Sequence, residues 1–237
     1  MSPSLQVPST AYPPPATPVR RAPTTRRAPV AEEPFALVGE RLWLDFVNTD
    51  DTRPVEGRRR EDVLLDFDLF VDWLLAADVL DAERAAGLRR RAMQQPAGAA
   101  AALVDARRVR AALRALAERG AHSAAVRAEA VSAINRVLGR STVTRRIEEH
   151  PDGGYARTFV TVGDAFAALM VPIADSAAES LIAGELARVR RCADPRCARV
   201  FLDTTKNGRR RWCDMATCGN RAKAARHRKR KLPTEPA

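Results

Sequence analysis

The amino-acid sequence predicts a mainly α-helical domain with one β-hairpin, followed by a small cysteine-rich module near the C-terminus. In the first part, apolar residues recur every three or four positions over several stretches, which is the spacing of amphipathic helices. Two neighbouring segments rich in Thr, Val and Ile instead flank a short turn, as a hairpin does. All four cysteines lie in the last fifth of the 237 residues. This length suits one ordinary core and a small appendage.

The two ends of the chain are predicted to be disordered tails. Residues 1–34 hold nine of the sixteen prolines and show no apolar periodicity, so they cannot bury enough surface to offset their chain entropy. Residues 232–237 form the second tail. The first stretch is too polar and too rich in proline for a signal peptide, and no apolar run approaches the length of about eighteen residues that a membrane span needs. We therefore expect a cytoplasmic protein without a membrane partner.

The helical domain is predicted to begin near Phe35 and to extend to residue 187. Its first apolar stretch is Arg41–Asn48. Either Asp78 or Asp81 is expected to cap a helix that reaches about Met93, because aspartate accepts hydrogen bonds from the free N–H groups of a first turn. The other helices of this part are predicted around residues 64–75, from residue 103 to a stop at Gly120, and over Ala124–Leu138.

A change of pattern marks the hairpin, and a last helix follows it. Ser141–Glu149 and Tyr155–Val162 are the two predicted strands, and His150–Gly154 between them has the composition of a turn. A long helix is then predicted from about Asp164 to Arg188. Pro172 lies inside this range and removes a backbone donor, so a kink or a short break is expected there.

The cysteines form two pairs of equal spacing. Four residues separate Cys192 from Cys197 and Cys213 from Cys218, and fifteen residues lie between the pairs. Two such pairs on tight turns suit one tetrahedral Zn²⁺ bound by four thiolates at about 2.3 Å. Two disulfides are the first alternative and would need an oxidising compartment. A redox pair is the second, although it would more often be a single C-x-x-C near a βαβ unit. One structural Zn²⁺ is the favoured interpretation.

The residues around the cysteines predict a treble-clef-like hairpin and helix. Ala198–Asp203 is typical of a strand, Asn207-Gly208 is suited to a tight turn, and Arg210–Cys213 is predicted to be the returning strand. A helix is then expected from about Gly219 or Asn220.

Positive charge is concentrated in the same module. Residues 188–231 carry sixteen Lys or Arg against three Asp, a net charge of +13, whereas the whole chain has +11. A compact basic module indicates a nucleic-acid partner, and a merely solvated basic tail is the alternative. Trp212 could stack on a base, but it is predicted to pack with Phe201 in the small core. The predicted nucleic-acid contacts are Lys206, Arg209, Arg210, Arg211, Arg221, Lys223, Arg226, His227, Arg230 and Lys231.

The segment from Cys192 to Lys231 resembles the CGNR zinc finger, whose naming motif stands here at residues 218–221. The ordered part before it resembles the ABATE domain through the sequence LWLDFVNT at Leu42–Thr49. Together these resemblances imply a bacterial transcription regulator. In it, the finger over residues 188–231 would bind DNA, and the ABATE-like domain over residues 35–187 would sense a ligand or a stress signal. The zinc ligands implied by the resemblance are Cys192, Cys197, Cys213 and Cys218.

A candidate effector site lies in the first apolar stretch of the helical domain. Asp45, Asn48 and Thr49 could place polar groups at the mouth of a small-molecule pocket. Alternatively, Asp45 lies on a helix surface while Asn48 and Thr49 cap the turn. Arg53 and Arg58–Arg60 could bind an anion, or they could simply be solvated.

No enzyme is predicted, because the sequence lacks the common phosphate-loop, zinc-peptidase and nucleophile-elbow motifs. His122 and His150 have no evident nucleophile or carboxylate partner. The favoured function is a zinc-dependent DNA-binding transcription regulator, for which a homodimer would supply added specificity. A nucleic-acid-binding protein without sequence preference, acting on RNA, is the first alternative. An enzyme with its site in the helical domain is the second.

Overall fold

The fold is described from a computed structural model over residues 35–50, 62–140, 142–149, 154–162 and 165–231. The predicted tails, the arginines at positions 53 and 58–60, and the turn around His150 lie outside these residues. The helices are α1 Leu42–Val47, α2 Phe67–Ala76, α3 Ala82–Gln94, α4 Pro96–Arg119, α5 Ala124–Arg140, α6 Val171–Ile182 and α7 Asn220–Lys231. The strands are β1 Thr142–Glu149, β2 Tyr155–Val162, β3 Val189–Arg191 and β4 Val200–Leu202. The predicted fold class is confirmed.

The short helix α1 lies at the centre of the core. Apart from the partly buried Leu42, its apolar side chains are fully buried, and the ring of Phe46 lies 5.1 Å from that of Trp73 on α2, measured between centroids. Trp43 is buried as well, and its indole Nε1 donates a hydrogen bond of 2.9 Å to Ser180 Oγ on α6. The indole therefore keeps a polar partner inside an apolar environment, as a buried tryptophan requires. Since α1 touches both neighbours, it joins α2 to α6.

Two aspartates fix the starts of α2 and α3. The Asp66 carboxylate accepts a hydrogen bond from the Leu69 N–H, and that of Asp81 accepts one from the Arg84 N–H. Each satisfies one of the free N–H groups of a first turn. Asp78 has a positive φ of 57° and belongs to the turn before α3, so Asp81 is the cap of this helix.

The predicted long helix from Asp164 to Arg188 is wrong. Among the described residues of this range, α6 runs only from Val171 to Ile182, and Pro172 lies in its first turn. Proline is tolerated there because the first N–H groups of a helix have no partner within it. Gly184 follows the helix with φ 69°, the left-handed conformation that commonly ends helices. A separate 3₁₀ turn, Glu185–Arg188, leads on to β3.

The predicted hairpin is present. Strands β1 and β2 pair antiparallel, with Thr142 opposite Val162 at one end and Glu149 opposite Tyr155 at the other.

The strand pairing predicted in the cysteine-rich module is wrong. Strand β4 pairs antiparallel with β3, which precedes the first cysteine, and residues 210–213 form no strand. The turn chemistry explains part of the difference. A tight two-residue turn of the type predicted needs positive φ at both central residues, and in the Asn207-Gly208 pair only Gly208 has it, at 60°.

Strand β4 belongs to the core of the helical part. Val200 and Leu202 are almost fully buried among the apolar residues of the helices, whereas Phe201 faces the cysteines. Alternate residues of a strand point to opposite sides, so β4 joins the two hydrophobic clusters. None of the described helices is long and apolar enough to cross a membrane.

Candidate metal centre and nucleic-acid interface

The four cysteines converge although the chain separates them by up to 26 positions. Cys192 directly follows β3, and Cys197 comes three residues before β4. Cys213 comes two residues before the wide π turn Met215–Gly219 that precedes α7, and Cys218 lies within that turn. All four side chains are buried, and their Sγ atoms lie within 4.8 Å of one another. The Cys213 Sγ is 3.7 Å from both the Cys197 Sγ and the Cys218 Sγ.

These distances suit a metal ion and not disulfides. Four sulfurs placed tetrahedrally at about 2.3 Å from one Zn²⁺ lie about 3.8 Å apart, which is close to the separations found here. A disulfide would bring two sulfurs to about 2.05 Å. The cluster therefore could hold one metal ion, and the all-thiolate donor set is that of a structural zinc site.

Hydrogen bonds shape the turns that carry the cysteines. In the first turn, the Asp194 carboxylate accepts from the Arg196 N–H, and the Cys197 N–H donates to the Asp194 carbonyl at 2.9 Å. In the second, the Asp214 carboxylate accepts from the N–H groups of residues 216 and 217. An aspartate thus follows the first cysteine of each pair by one or two positions. The two turns are joined by a backbone bond of 2.8 Å from Ala193 N–H to the Arg211 carbonyl.

Burial and mutual proximity disturb the ionisation of the thiols. Desolvation is the largest cause that raises the pKa of Cys218 to about 12, and repulsion from the neighbouring sulfurs of Cys197 and Cys192 comes second. Conversely, hydrogen bonds from Cys197 and Cys213 hold the pKa of Cys192 far below its ordinary value. Without a metal ion, burial and the neighbouring sulfurs therefore oppose ionisation of Cys213 and Cys218, whose pKa values are both raised. A divalent cation offsets this unfavourable ionisation, because its charge stabilises all four thiolates together.

A small apolar shell surrounds the cluster. Phe201 is completely buried, and Trp212 is partly buried against the cysteines, together with Val38 from the N-terminal part of the fold. The guanidinium of Arg210 lies over the Phe201 ring at 4.7 Å from its centroid, and that of Arg211 lies 5.1 Å from the Trp212 centroid. Trp212 thus packs in the small core.

The predicted nucleic-acid contacts divide into an exposed and an engaged group. Arg210 and Arg221 are engaged. Arg210 forms an ion pair of 2.7 Å with Glu40, and Arg221 forms one of 2.8 Å with Asp194. The exposed side chains, which we call the basic surface, are Lys206, Arg209, Arg211, Lys223, Arg226 and His227. Arg230 and Lys231 lie in the last turn of α7, and their side chains are outside the part of the chain that the structure describes.

A buried aspartate shapes the loop that carries the first two residues of the basic surface. Asp203 is 0% exposed and accepts hydrogen bonds from the Thr205 N–H at 3.0 Å and the Arg210 N–H at 2.9 Å. Burial alone would raise the pKa of Asp203, but the bonds from Thr205 and Arg210 outweigh it and lower the pKa. The two ends of the loop are thereby fastened to one carboxylate, which presents Lys206 and Arg209 at its tip.

The three residues predicted at an effector pocket make internal contacts. Asp45 accepts a hydrogen bond of 2.7 Å from the Gly39 N–H. Asn48 donates from Nδ2 to the Val200 carbonyl at 2.9 Å, and its Oδ1 accepts from the Val200 N–H at 2.8 Å. Thr49 donates to the Phe46 carbonyl. The Asn48 side chain thus satisfies both backbone groups of Val200, the first residue of β4.

Two arginines of α4 are structural residues that the sequence analysis missed. The Arg110 guanidinium donates to Thr49 Oγ1 at 2.8 Å and forms a bidentate pair with the Asp62 carboxylate. Arg114 donates to the Ala198 carbonyl, next to β4, at 2.7 Å. Both guanidinium groups are almost completely buried. A signal was available, since both positions fall on the apolar face of a helix, where an arginine needs partners.

Comparison with known families gives two matches in this order along the chain. Residues 40–185 match the family described as "Putative stress-induced transcription regulator" (ABATE), and residues 188–231 match the CGNR zinc finger. The first matched family is described as a regulator and the second as a zinc finger, and neither description is that of an enzyme. No curated protein matches the chain.

Proposed function

The chain belongs to the ABATE family and carries a CGNR zinc finger, and we propose that it is a zinc-dependent, DNA-binding transcription regulator of the cytoplasm. The observation that carries the proposal is the combination of one metal-suited cysteine cluster with a local charge of +13 over residues 188–231. A surface of this charge attracts the phosphate backbone, and the cluster fixes the elements that bear it.

The proposed cofactor is one structural Zn²⁺ held by Cys192, Cys197, Cys213 and Cys218. Four thiolates close its coordination shell, so the ion supplies folding energy and not catalysis. The ion joins the segment before β4 to the segment before α7. It therefore fixes the position of the loop of the basic surface relative to helix α7.

The proposed DNA contacts lie on the basic surface. Helix α7 is exposed along Lys223, Arg226 and His227, and a helix of this kind can enter the major groove. We propose that Lys223 contacts phosphate and that Arg226 and Arg230 contact bases. Lys206, Arg209, Arg211, His227 and Lys231 complete the proposed set of contacts.

Arg210 and Arg221 connect the segments that carry the basic surface. Arg210 donates to the carbonyls of Trp212 and Cys213 as well as to Glu40. Arg221 ties the first turn of α7 to Asp194 in the other cysteine turn. We propose that both position the finger, and that contact with nucleic acid by either one is secondary.

A small module usually gains specificity by binding as a dimer to two half-sites. We propose that the regulator binds DNA as a homodimer and that the ABATE domain responds to a small-molecule effector. The contacts of Asn48 and Arg114 with the segment around β4 support such a role, because they provide a direct connection from the helices to the finger.

The test is a binding selection from fragmented genomic DNA with zinc-loaded, full-length protein at near-physiological salt. Low salt would inflate the non-specific component of binding. We expect the recovered fragments to converge on one motif, with two half-sites at a fixed spacing. A featureless pool with salt-sensitive affinity would contradict a sequence-preferring regulator, and tighter binding to structured RNA than to duplex DNA would replace it with an RNA-directed role.

A further inference from the structure

A cleft of about 320 Å³ opens between α3 and the segment that leads into α6. Its walls are mainly apolar and include Leu88 on one side and Leu169 and Pro172 on the other. The volume falls within the range of about 300–1,000 Å³ that is usual for small-molecule sites. None of the residues predicted at an effector pocket from the sequence lines it.

The ionisable residues that line this cleft are both arginines. Arg84 and Arg91 stand seven positions apart on α3, which places them on one face of the helix. Arg91 lies over the Phe166 ring at 5.6 Å from its centroid. Arg84 is paired at 3.3 Å with Asp81, but both groups are well exposed, and such a pair contributes little. A guanidinium can bind a carboxylate through two parallel hydrogen bonds, so the charge of the cleft favours an anion.

A glycine between the two arginines keeps the floor of the cleft open. Gly87 lies in the interior of α3, where glycine costs about 1 kcal/mol relative to alanine. Close packing does not require it, because a Cβ at Gly87 would meet only Nη2 at the far end of the Arg90 side chain, at 3.8 Å. At Gly98, by contrast, a Cβ would press on the Phe166 ring at 3.2 Å. The unfavourable residue at position 87 therefore leaves space on the side where the cleft lies.

We propose that this cleft binds an amphipathic anion, a small molecule with an apolar body and a carboxylate. The apolar body lies against Leu88, Leu169 and Pro172, above Gly87, and the carboxylate is held by Arg84 and Arg91. Such a molecule would be the effector of the proposed regulator. Binding itself does not depend on that function, and the test measures it without DNA.

The experiment is calorimetric titration of zinc-loaded, full-length protein with three probes that share a ten-carbon chain. These are decanoate, the neutral alcohol decanol and the cation decyltrimethylammonium. We expect decanoate to bind saturably at one site and about tenfold or more tighter than decanol, because charged hydrogen bonds strengthen binding by at least that factor. The cation should bind weakest. Absence of saturable decanoate binding, or equal binding of the cation, would overturn the proposal.

Two leucine substitutions locate the site. Gly87→Leu fills the floor of the cleft and should weaken decanoate binding at least tenfold. Gly139→Leu on α5 is the matched control, since a Cβ there meets nothing within 4 Å and Gly139 does not line the cleft, and it should leave the affinity unchanged. Equal loss in both variants, or no loss in Gly87→Leu, would contradict the assignment.

Removal of the charges gives a second test that does not depend on the folding of Gly87→Leu. Arg84→Gln and Arg91→Gln should each weaken decanoate binding several-fold while leaving decanol binding nearly unchanged. Thermal unfolding followed by circular dichroism verifies that each variant is folded. If decanoate and decanol lose affinity equally, the arginines do not hold the carboxylate and the proposed ligand class is wrong.

Discussion

Replacement of Asn48 by leucine removes the two hydrogen bonds that join α1 to strand β4. The side chain has nearly the same size, but the Val200 N–H and carbonyl lose their partner in a buried position. A buried polar group without a partner costs about 1–3 kcal/mol. The cost of leaving two such groups without partners is offset in part by the added apolar surface. We therefore expect the free energy of unfolding to fall by about 3 kcal/mol.

The assay is urea unfolding of zinc-loaded protein with two signals, the far-ultraviolet circular dichroism of the helices and the release of zinc to a coloured chelator. With a slope of about 2 kcal/mol per M, the expected loss lowers the midpoint by about 1.5 M. Because β4 is shared by both hydrophobic clusters, the two signals should shift together. Asn48→Asp should fall between leucine and wild type, since it can still accept from the Val200 N–H.

The control is Asn135→Leu on the exposed face of α5, where a surface substitution changes stability by about 0.5 kcal/mol or less. An Asn48→Leu midpoint equal to that of wild type would refute the structural role of the side chain. Early zinc release with an unchanged helical transition would refute the shared core.

Three further predictions concern the metal, the basic surface and the buried ion pair. Cys213→Ser should abolish zinc binding, measured by metal analysis, and DNA binding. It should also lower the melting temperature of the helices, measured by calorimetry. Retained zinc would refute the ligand assignment. Lys223→Ala should weaken binding to all DNA sequences and reduce the slope of log affinity against log salt by about one unit; an unchanged slope would rule out a phosphate contact. Asp62→Asn breaks the pair with Arg110 and should cost about 3 kcal/mol at neutral pH. Burial opposes ionisation of Asp62, but the hydrogen bonds from Arg110 and the Leu64 N–H, together with the charges of Arg110 and Arg107, outweigh it and place its folded pKa below the ordinary 3.8. The stability difference from wild type should therefore be constant near neutral pH and shrink as the pH falls from the ordinary value of 3.8 through the lower folded pKa. A difference that stays constant as the pH falls below the ordinary value would contradict the ion pair.

The parts of the fold that the sequence could predict are those with a local signal. The apolar periodicity before Gly120 and the spacing of the two cysteine pairs are such signals. A helix, α4, ends at Arg119 as predicted, although it begins at Pro96, and the four cysteines converge into a cluster that could hold a metal ion. The basic surface could likewise be predicted from composition, although the sequence could not separate its exposed arginines from Arg210 and Arg221, which ion pairs hold.

The parts that failed depend on contacts between distant residues. Strand β4 is predicted to pair with residues 210–213 but pairs with β3, and its Val200 and Leu202 are buried among helices that lie far away in the chain. Asn48 also contacts strand β4 at a separation of 152 positions, and no local pattern could predict that contact. Pro172 was placed within a helix instead of at its start, because the apolar spacing continued on both sides of it.

The most direct test of the central claim is the affinity of full-length protein for a selected genomic fragment, measured during titration of metal-free protein with Zn²⁺ at near-physiological salt. A scrambled fragment of the same length serves as the control. We expect binding to appear with one equivalent of Zn²⁺ and to be much tighter for the selected fragment than for the scrambled one. Equal affinity with and without Zn²⁺, or equal affinity for the two fragments, would contradict it.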